Sequence, residues 1–267
     1  MRILVPVDGS PQSVNAARFL ADRSTIRPSD EVEILNVQNP LPKSIERYLG
    51  DEAVKLYFDT ECNAVFDEFK GVLETASFKP TVTVRYGDAI DEVAAEAEEK
   101  AAELIVMGAR GQRALTGLLF GSVSRGLLAK SRIPLLILRD KVPAVGGPLR
   151  LGLATDGSEA SLRAVKFAVE NRSLFGESPQ FDLIHCGPTY DEGTNAAEEV
   201  LKEAGVTYKK VLLPGTAGDA IVKYAAEESL DLIVMGSHGY GNFKALLLGS
   251  VATRITAKTD TPLLIIR

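Results

Sequence analysis

Cysteine and histidine are scarce in this sequence, with two of each in 267 residues. Cys62 and Cys186 have no Cys-x-x-Cys spacing and no cluster of histidines beside them, so they read as half-buried thiols in a reducing compartment. His185 and His238 lack a third ligand, which argues against a metal site of their own. Positive charge is not in excess either. The net charge of −6 argues against non-specific binding to nucleic acid or to an anionic membrane, while leaving room for a local phosphate pocket. No apolar run is long enough to span a bilayer, and the opening run Met1 to Val7 meets Asp8 too early for a signal segment. A soluble, cytoplasmic protein is expected, with neither a nucleic-acid nor a membrane partner. Also absent is a Gly-x4-Gly-Lys-Ser/Thr motif, and with it the lysine and hydroxyl–magnesium arrangement of P-loop enzymes.

What is present is a composition able to bury real cores: 45% hydrophobic and 25% charged residues. The chain also repeats itself. Arg2-Ile3-Leu4-Val5-Pro6-Val7-Asp8-Gly9-Ser10 has its counterpart in Arg150-Leu151-Gly152-Leu153-Ala154-Thr155-Asp156-Gly157-Ser158. Gly87-Asp88-Ala89-Ile90 matches Gly218-Asp219-Ala220-Ile221, and Leu104-Ile105-Val106-Met107-Gly108 returns unchanged as Leu232-Ile233-Val234-Met235-Gly236. Pro134-Leu135-Leu136-Ile137 returns as Pro262-Leu263-Leu264-Ile265. Matches in the same order indicate a duplication, with domains expected at 1–140 and 150–267. The segment between them, 141–149, holds Pro143, Gly146, Gly147 and Pro148 and reads as a linker. The second copy is shorter mainly between its second and third strands, where the first carries a long stretch from Pro40 to Phe78.

Within the first copy, the runs 3–7, 32–37, 82–86, 104–107 and 135–138 are apolar at nearly every position, as strands covered on both faces are. Helical patterns over 11–24, about 45–76, 89–102 and about 122–129 lie between them. Ser10 before Pro11 is a hydroxyl N-cap followed by proline at the first helical position. Such βαβ alternation implies right-handed crossovers and a parallel sheet with helices on both faces, so each half is expected to be a five-stranded doubly wound α/β domain. The stretch Asp91 to Lys100 reads as a solvated acidic face.

Chemistry is concentrated after the first and fourth strands of each copy. Asp8-Gly9-Ser10 and Asp156-Gly157-Ser158 follow the first. After the fourth, Gly108-x2-Gly111-x9-Gly121-Ser122 and Gly236-x2-Gly239-x9-Gly249-Ser250 share one spacing. Ligands of doubly wound sheets sit outside the carboxyl ends of strands where strand order reverses. Glycines let backbone approach phosphate, and a Gly-Ser pair opening a helix offers free N–H groups and a favourable dipole. The hydroxyls of Ser122 and Ser124 add donors, and Asp8 can accept from a ribose or a base edge. Either motif alone reads as readily as a turn or a cap; their joint recurrence is what points to a nucleotide.

A strand ending in Asp, followed by Gly-x2-Gly-x9-Gly-Ser after a Met-Gly strand end, resembles the ATP-binding pattern of universal stress proteins, and the resemblance runs through essentially the whole chain twice. It implies a Rossmann-like, adenine nucleotide alpha hydrolase-like fold with strand order 3-2-1-4-5, pairing of domains through their last strands, and stress-linked regulation. The ligand implied is ATP, with AMP or ADP as alternatives and magnesium as a companion of ATP. The contacts implied in the first copy are Pro6, Val7, Asp8, Val37, Met107, Gly108, Arg110, Gly111, Gly121, Ser122, Val123 and Ser124. Those of the second are Thr155, Asp156, Cys186, Met235, Gly236, His238, Gly239, Gly249, Ser250 and Val251. Family members often carry His where the first copy has Arg110, whose fork of donors suits phosphate, though Arg110 and Arg113 read equally as exposed loop charges. Ala252 replaces Ser124 in the second copy, so the first site is favoured.

A binding and signalling module is the leading reading, with no catalytic residue assigned. A slow ATP hydrolase or adenylyl-transferring enzyme, and a module acting only by protein contact, are the alternatives. Strands 135–138 and 263–266 are short, apolar and at a sheet edge in the implied order, so they are expected to pair with each other within the chain. A homodimer beyond that pairing and a protein partner stay open.

Overall fold

The computed structural model describes residues 1–21, 26, 29–109, 120–139, 142–143, 147–189, 192–239 and 248–267. Its first half runs β1 (Arg2–Val7), α1 (Pro11–Ala21), β2 (Glu31–Gln38), α2 (Lys43–Leu49), α3 (Asp51–Glu74), β3 (Thr81–Tyr86), α4 (Ala89–Glu99), β4 (Leu104–Gly108), α5 (Ser122–Lys130) and β5 (Leu135–Leu138). The second half follows with β6 (Arg150–Thr155), α6 (Glu159–Glu170), β7 (Gln180–Cys186), α7 (Glu192–Glu203), β8 (Tyr208–Leu213), α8 (Ala217–Glu227), β9 (Leu232–Gly236), α9 (Ser250–Lys258) and β10 (Leu263–Ile266).

The strands form one ten-stranded sheet in the order β3-β2-β1-β4-β5-β10-β9-β6-β7-β8. Each half therefore has the order 3-2-1-4-5 and is parallel throughout. Among the described residues the single antiparallel pairing joins the halves, with Leu136 opposite Leu264. Two short apolar strands that would each expose an unpaired edge thereby satisfy one another. β1 and β6, flanked on both sides, are almost wholly buried, whereas the outer strands β3 and β8 are half exposed. The cores above and below the sheet each run across the junction. One includes Leu136 and Leu138 with Leu264 and Ile266, and the other Leu135 and Ile137 with Leu263 and Ile265. Among the described residues no helix is long and apolar enough to cross a membrane.

Three expectations change. The helix expected over about 45–76 is two helices, because Gly50 breaks it in a left-handed conformation with φ of +77°. The match of Gly87-Asp88-Ala89-Ile90 to Gly218-Asp219-Ala220-Ile221 is out of register. Asp88 is the N-cap of α4, and the corresponding cap of α8 is Thr216, so Ala89 answers to Ala217 and Asp91 to Asp219. The ion pairs agree: Lys130 meets Asp91 at 2.6 Å, and Lys258 meets Asp219 at 2.9 Å. Finally, the acidic face of α4 is not all solvated. Glu96 is buried and paired with Arg85, which also meets Glu92 and Glu99. Burial, and then the neighbouring Glu33, push the Glu96 carboxyl above its ordinary pKa.

Candidate functional site

The two Asp-Gly-Ser turns are the same structure built twice. In the first half Ser10 N–H donates to Asp8 Oδ1 (3.0 Å), Ser13 N–H to Ser10 Oγ (3.2 Å) and Ser13 Oγ to Ser10 O (2.9 Å). In the second, Ser158 N–H donates to Asp156 Oδ1 (3.0 Å), Ser161 N–H to Ser158 Oγ (3.3 Å) and Ser161 Oγ to Ser158 O (2.9 Å). Ser10 and Ser158 thus cap α1 and α6, and one oxygen of each aspartate is spent holding the turn. The other oxygen of Asp156 sits against Gly239, where a Cβ would collide with it.

The fourth strand of each half is tied to the helix that follows. Ala109 N–H donates to Leu138 O (2.7 Å) and Gly121 N–H to Ala109 O (2.8 Å). Ser237 N–H donates to Ile266 O (2.7 Å) and Gly249 N–H to Ser237 O (2.8 Å). These bonds bring the start of α5 to the end of β4, and the start of α9 to the end of β9. Gly121 and Gly249 are extended N-caps with no side-chain cap. The first amides of both helices therefore lack an intrahelical acceptor, and the positive end of each dipole faces the strand ends.

Not every glycine of the spacing has the same reason to be glycine. A Cβ on Gly108 would lie 2.7 Å from the backbone of Gln12, and one on Gly236 2.7 Å from the backbone of Ala160, so these two admit the close approach of α1 and α6. A Cβ on Gly249 would meet only ordinary contacts, 3.4 Å from His238 Cα and from Ser237 O. The protein itself does not demand glycine there.

Between the ends of β6, β7 and β9 and the starts of α8 and α9 lies a cavity of about 280 Å³. Every second-half candidate is on its wall: Thr155, Asp156, Cys186, Met235, Gly236, His238, Gly239, Gly249, Ser250 and Val251. Ala154, Ser161, Ala217, Ile221, Ser237, Ala252 and Ile255 complete it and are absent from the sequence-based set. Aligning Gly87 with Gly215 would have brought Ala217 and Ile221 into view, since it puts the first turn of α8 at the strand ends. Burial raises the Cys186 thiol above its ordinary pKa, so it stays protonated near neutral pH. His238 Nδ1 is 2.8 Å from Ser237 Oγ, and its Nε2 is buried with no hydrogen-bond partner among the described residues. His185 plays a different part: its buried ring stands 3.1 Å from both Thr155 O and Thr194 Oγ1, linking α7 to the end of β6. Among the described residues no group of three or more His, Cys, Asp or Glu could hold a metal ion.

In the first half Pro6 and Val7 end β1 and Asp8 follows it, Val37 lies near the end of β2, and Met107 and Gly108 end β4. The pairing of β1 with both β2 and β4 makes these strand ends neighbours at the reversal of strand order. Gly121, Ser122, Val123 and Ser124 open α5 beside them. Arg110, Gly111 and Arg113 lie outside the described residues. Ser124 differs from expectation as a donor: it is buried, and its hydroxyl donates to Ala109 O at 2.9 Å. Ala252 in the second half therefore costs a bond to the backbone rather than a donor aimed outward.

A family model described as the universal stress protein family matches residues 1–139 and 179–267. Universal stress protein Rv2623 of Mycobacterium tuberculosis is 27% identical over 297 residues, covering 99% of this chain and 96% of that protein. A universal stress protein of Mycolicibacterium smegmatis is 28% identical over 285 residues, with 99% and 96% covered. The crystal structure of a universal stress protein from Archaeoglobus fulgidus matches at a TM-score of 0.77 and 25% identity, covering 100% of this chain and 96% of that one.

Proposed function

The chain belongs to the universal stress protein family, and from that premise we propose that it is a cytoplasmic, nucleotide-responsive stress module that binds ATP at the carboxyl end of its sheet. The observation that carries this reading is the second-half cavity, whose wall holds every contact residue that the family resemblance implies for that half. Its chemistry suits an adenine nucleotide. Ala154, Ile221, Met235 and Ile255 supply an apolar wall for a base. Asp156 supplies an acceptor for a ribose hydroxyl, and the uncapped start of α9 supplies amides for phosphate. The size, about 280 Å³, lies near the lower bound of small-ligand pockets. The equivalent site at Asp8, Gly108 and Gly121 takes a second nucleotide on this reading, with Arg110 near the phosphates and magnesium accompanying ATP. The domains are then 1–140 and 150–267, joined by 141–149.

Binding rather than turnover is the proposed activity, since the sequence has no P-loop lysine and no second carboxylate near Asp8. Calorimetric titration of the Gly121→Val protein with ATP reads the second site alone. Adding Gly249→Val, whose Cβ would meet only ordinary contacts with the protein, is expected to abolish the remaining heat. Unchanged affinity in the double variant would remove α9 from the site. Steady phosphate release at roughly 1 s⁻¹ or faster, within the usual range of enzymes, would replace the binding module with a hydrolase.

A further inference from the structure

We propose that each half's last helix is positioned by an arginine supplied by the other half, so that the amide end of each candidate nucleotide site depends on the opposite domain. This deepens, and for its ligand-binding consequence rests on, the nucleotide reading above. Arg139 follows β5 and is buried; its Nη2 donates to Thr256 O of α9 at 2.7 Å. Arg267 follows β10 in the equivalent place, and its Nη1 donates to Ala129 O of α5 at 2.9 Å and to Ser131 O at 3.0 Å. The arrangement is reciprocal, and both arginines reach the same kind of group. The last carbonyls of a helix have no intrahelical donor, and a cation there also complements the negative end of the dipole.

The consequence lies at the opposite ends of these helices. α5 and α9 are nine residues each, about 13 Å of rigid backbone. At one end stand Gly121 or Gly249 and the free amides, and at the other the arginine of the opposite half. The start of each helix is held by its own half, through Gly121 N–H on Ala109 O and Gly249 N–H on Ser237 O. The far end is held at the surface by its own half, through Lys130 on Asp91 and Lys258 on Asp219, and at the junction by the opposite half's arginine, so the aim of the helix axis at the strand ends is set jointly. Arg139 has a second contact, its guanidinium carbon lying 4.7 Å from the centre of the Phe120 ring. Phe120 immediately precedes Gly121, so one arginine touches the helix of the second site and the residue that opens the first. A buried guanidinium bonded to a carbonyl in a low-dielectric junction is a directional tie, because leaving that group unpaired is costly.

The test uses the full-length protein. Arg139→Met keeps an unbranched side chain over Phe120 and deletes the bond to Thr256; Arg267→Met deletes the bonds to Ala129 and Ser131. Amide hydrogen exchange without ligand is followed over residues 253–257 and 125–129. The expected pattern is crossed. Arg139→Met speeds exchange in α9 by about tenfold with α5 unchanged, and Arg267→Met speeds it in α5 with α9 unchanged. In a Gly121→Val background Arg139→Met weakens ATP binding by about tenfold, while Arg267→Met leaves it as it was. Equal acceleration of both helices by either variant would mean that the halves merely loosen, and would overturn the proposal; so would unchanged exchange. Arg267 is only partly buried, so Arg267→Met supplies the crossed readout on its own should Arg139→Met not fold. Crossed exchange in a protein that takes up no ATP would keep the positioning role of the arginines and discard the nucleotide reading.

Discussion

Leu264→Ala probes whether the two halves are one cooperative body. Leu264 sits in β10 opposite Leu136, is 0% exposed, and packs in a core that includes Leu136 and Leu138 of the first half. Removing three buried carbons at a site walled by strands and helices that cannot collapse costs about 2–5 kcal/mol. In a protein of this size that corresponds to a fall in melting temperature of roughly 4–20 °C. The location of the loss matters more than its size. Because the core is shared, the destabilisation should be felt in the first half although the substitution lies in the second. The chain carries its own reporters, one free thiol in each half: Cys62 is buried in α3, and Cys186 is partly buried at the end of β7. Burial raises the pKa of both, which further slows their reaction in the folded protein. Pulsed thiol alkylation across a urea series, read by peptide mass, gives an unfolding midpoint for each half separately. The expected result is that both midpoints fall together in Leu264→Ala. A Cys186 midpoint that falls while that of Cys62 keeps its wild-type value would refute the shared core.

Other outcomes follow from single contacts. Gly236→Ala should destabilise by about 1–3 kcal/mol in thermal melts, because its Cβ would stand 2.7 Å from the backbone of Ala160 and α6 must shift; an unchanged melting temperature would show that α6 yields freely. Arg85→Ala leaves Glu96 buried without its guanidinium, at a cost of about 3 kcal/mol near pH 7. The folded-state pKa of Glu96 is raised above the unfolded value, so its ionised form opposes folding at high pH and protonation relieves this as pH falls. The penalty of Arg85→Ala in urea titrations should accordingly be smaller near pH 5 than at pH 7, and a penalty constant across that range would contradict the assignment.

Most of the fold was readable because parallel strands buried on both faces are continuous apolar runs, and 3–7, 104–107 and 135–138 are such runs. The break at Gly50 was not readable, since the helical pattern continues on both sides of it and a lone glycine is tolerated within helices. The register of α8 is not legible from the letters, because four matching letters outweigh the physical role of the second of them: Asp88 is a cap, and Thr216 does the same job with a different side chain. Glu96 reads as one more surface acid because its partner, Arg85, lies on β3, a separate element. At the site, the glycine spacing and the strand-end aspartate are legible in the sequence, and the remaining contacts on that wall, Cys186 among them, come from the family resemblance. The α8 wall holds Ala217, which belongs to no repeated motif, and Ile221, whose motif aligns out of register. Ser124 was legible as a hydroxyl in the right place, but its inward bond to Ala109 O depends on a strand-to-loop geometry that no local pattern reports.

Photolabelling with 8-azido-ATP, followed by peptide mapping, tests the central claim most directly, because it reports both that an adenine nucleotide is held and where. Label that unmodified ATP competes away should fall on peptides containing Asp156, Cys186, Ala217–Ile221 or Met235, and on the corresponding strand-end peptides of the first half. Label that ATP does not displace, or that falls only on peptides remote from these strand ends, would contradict the account.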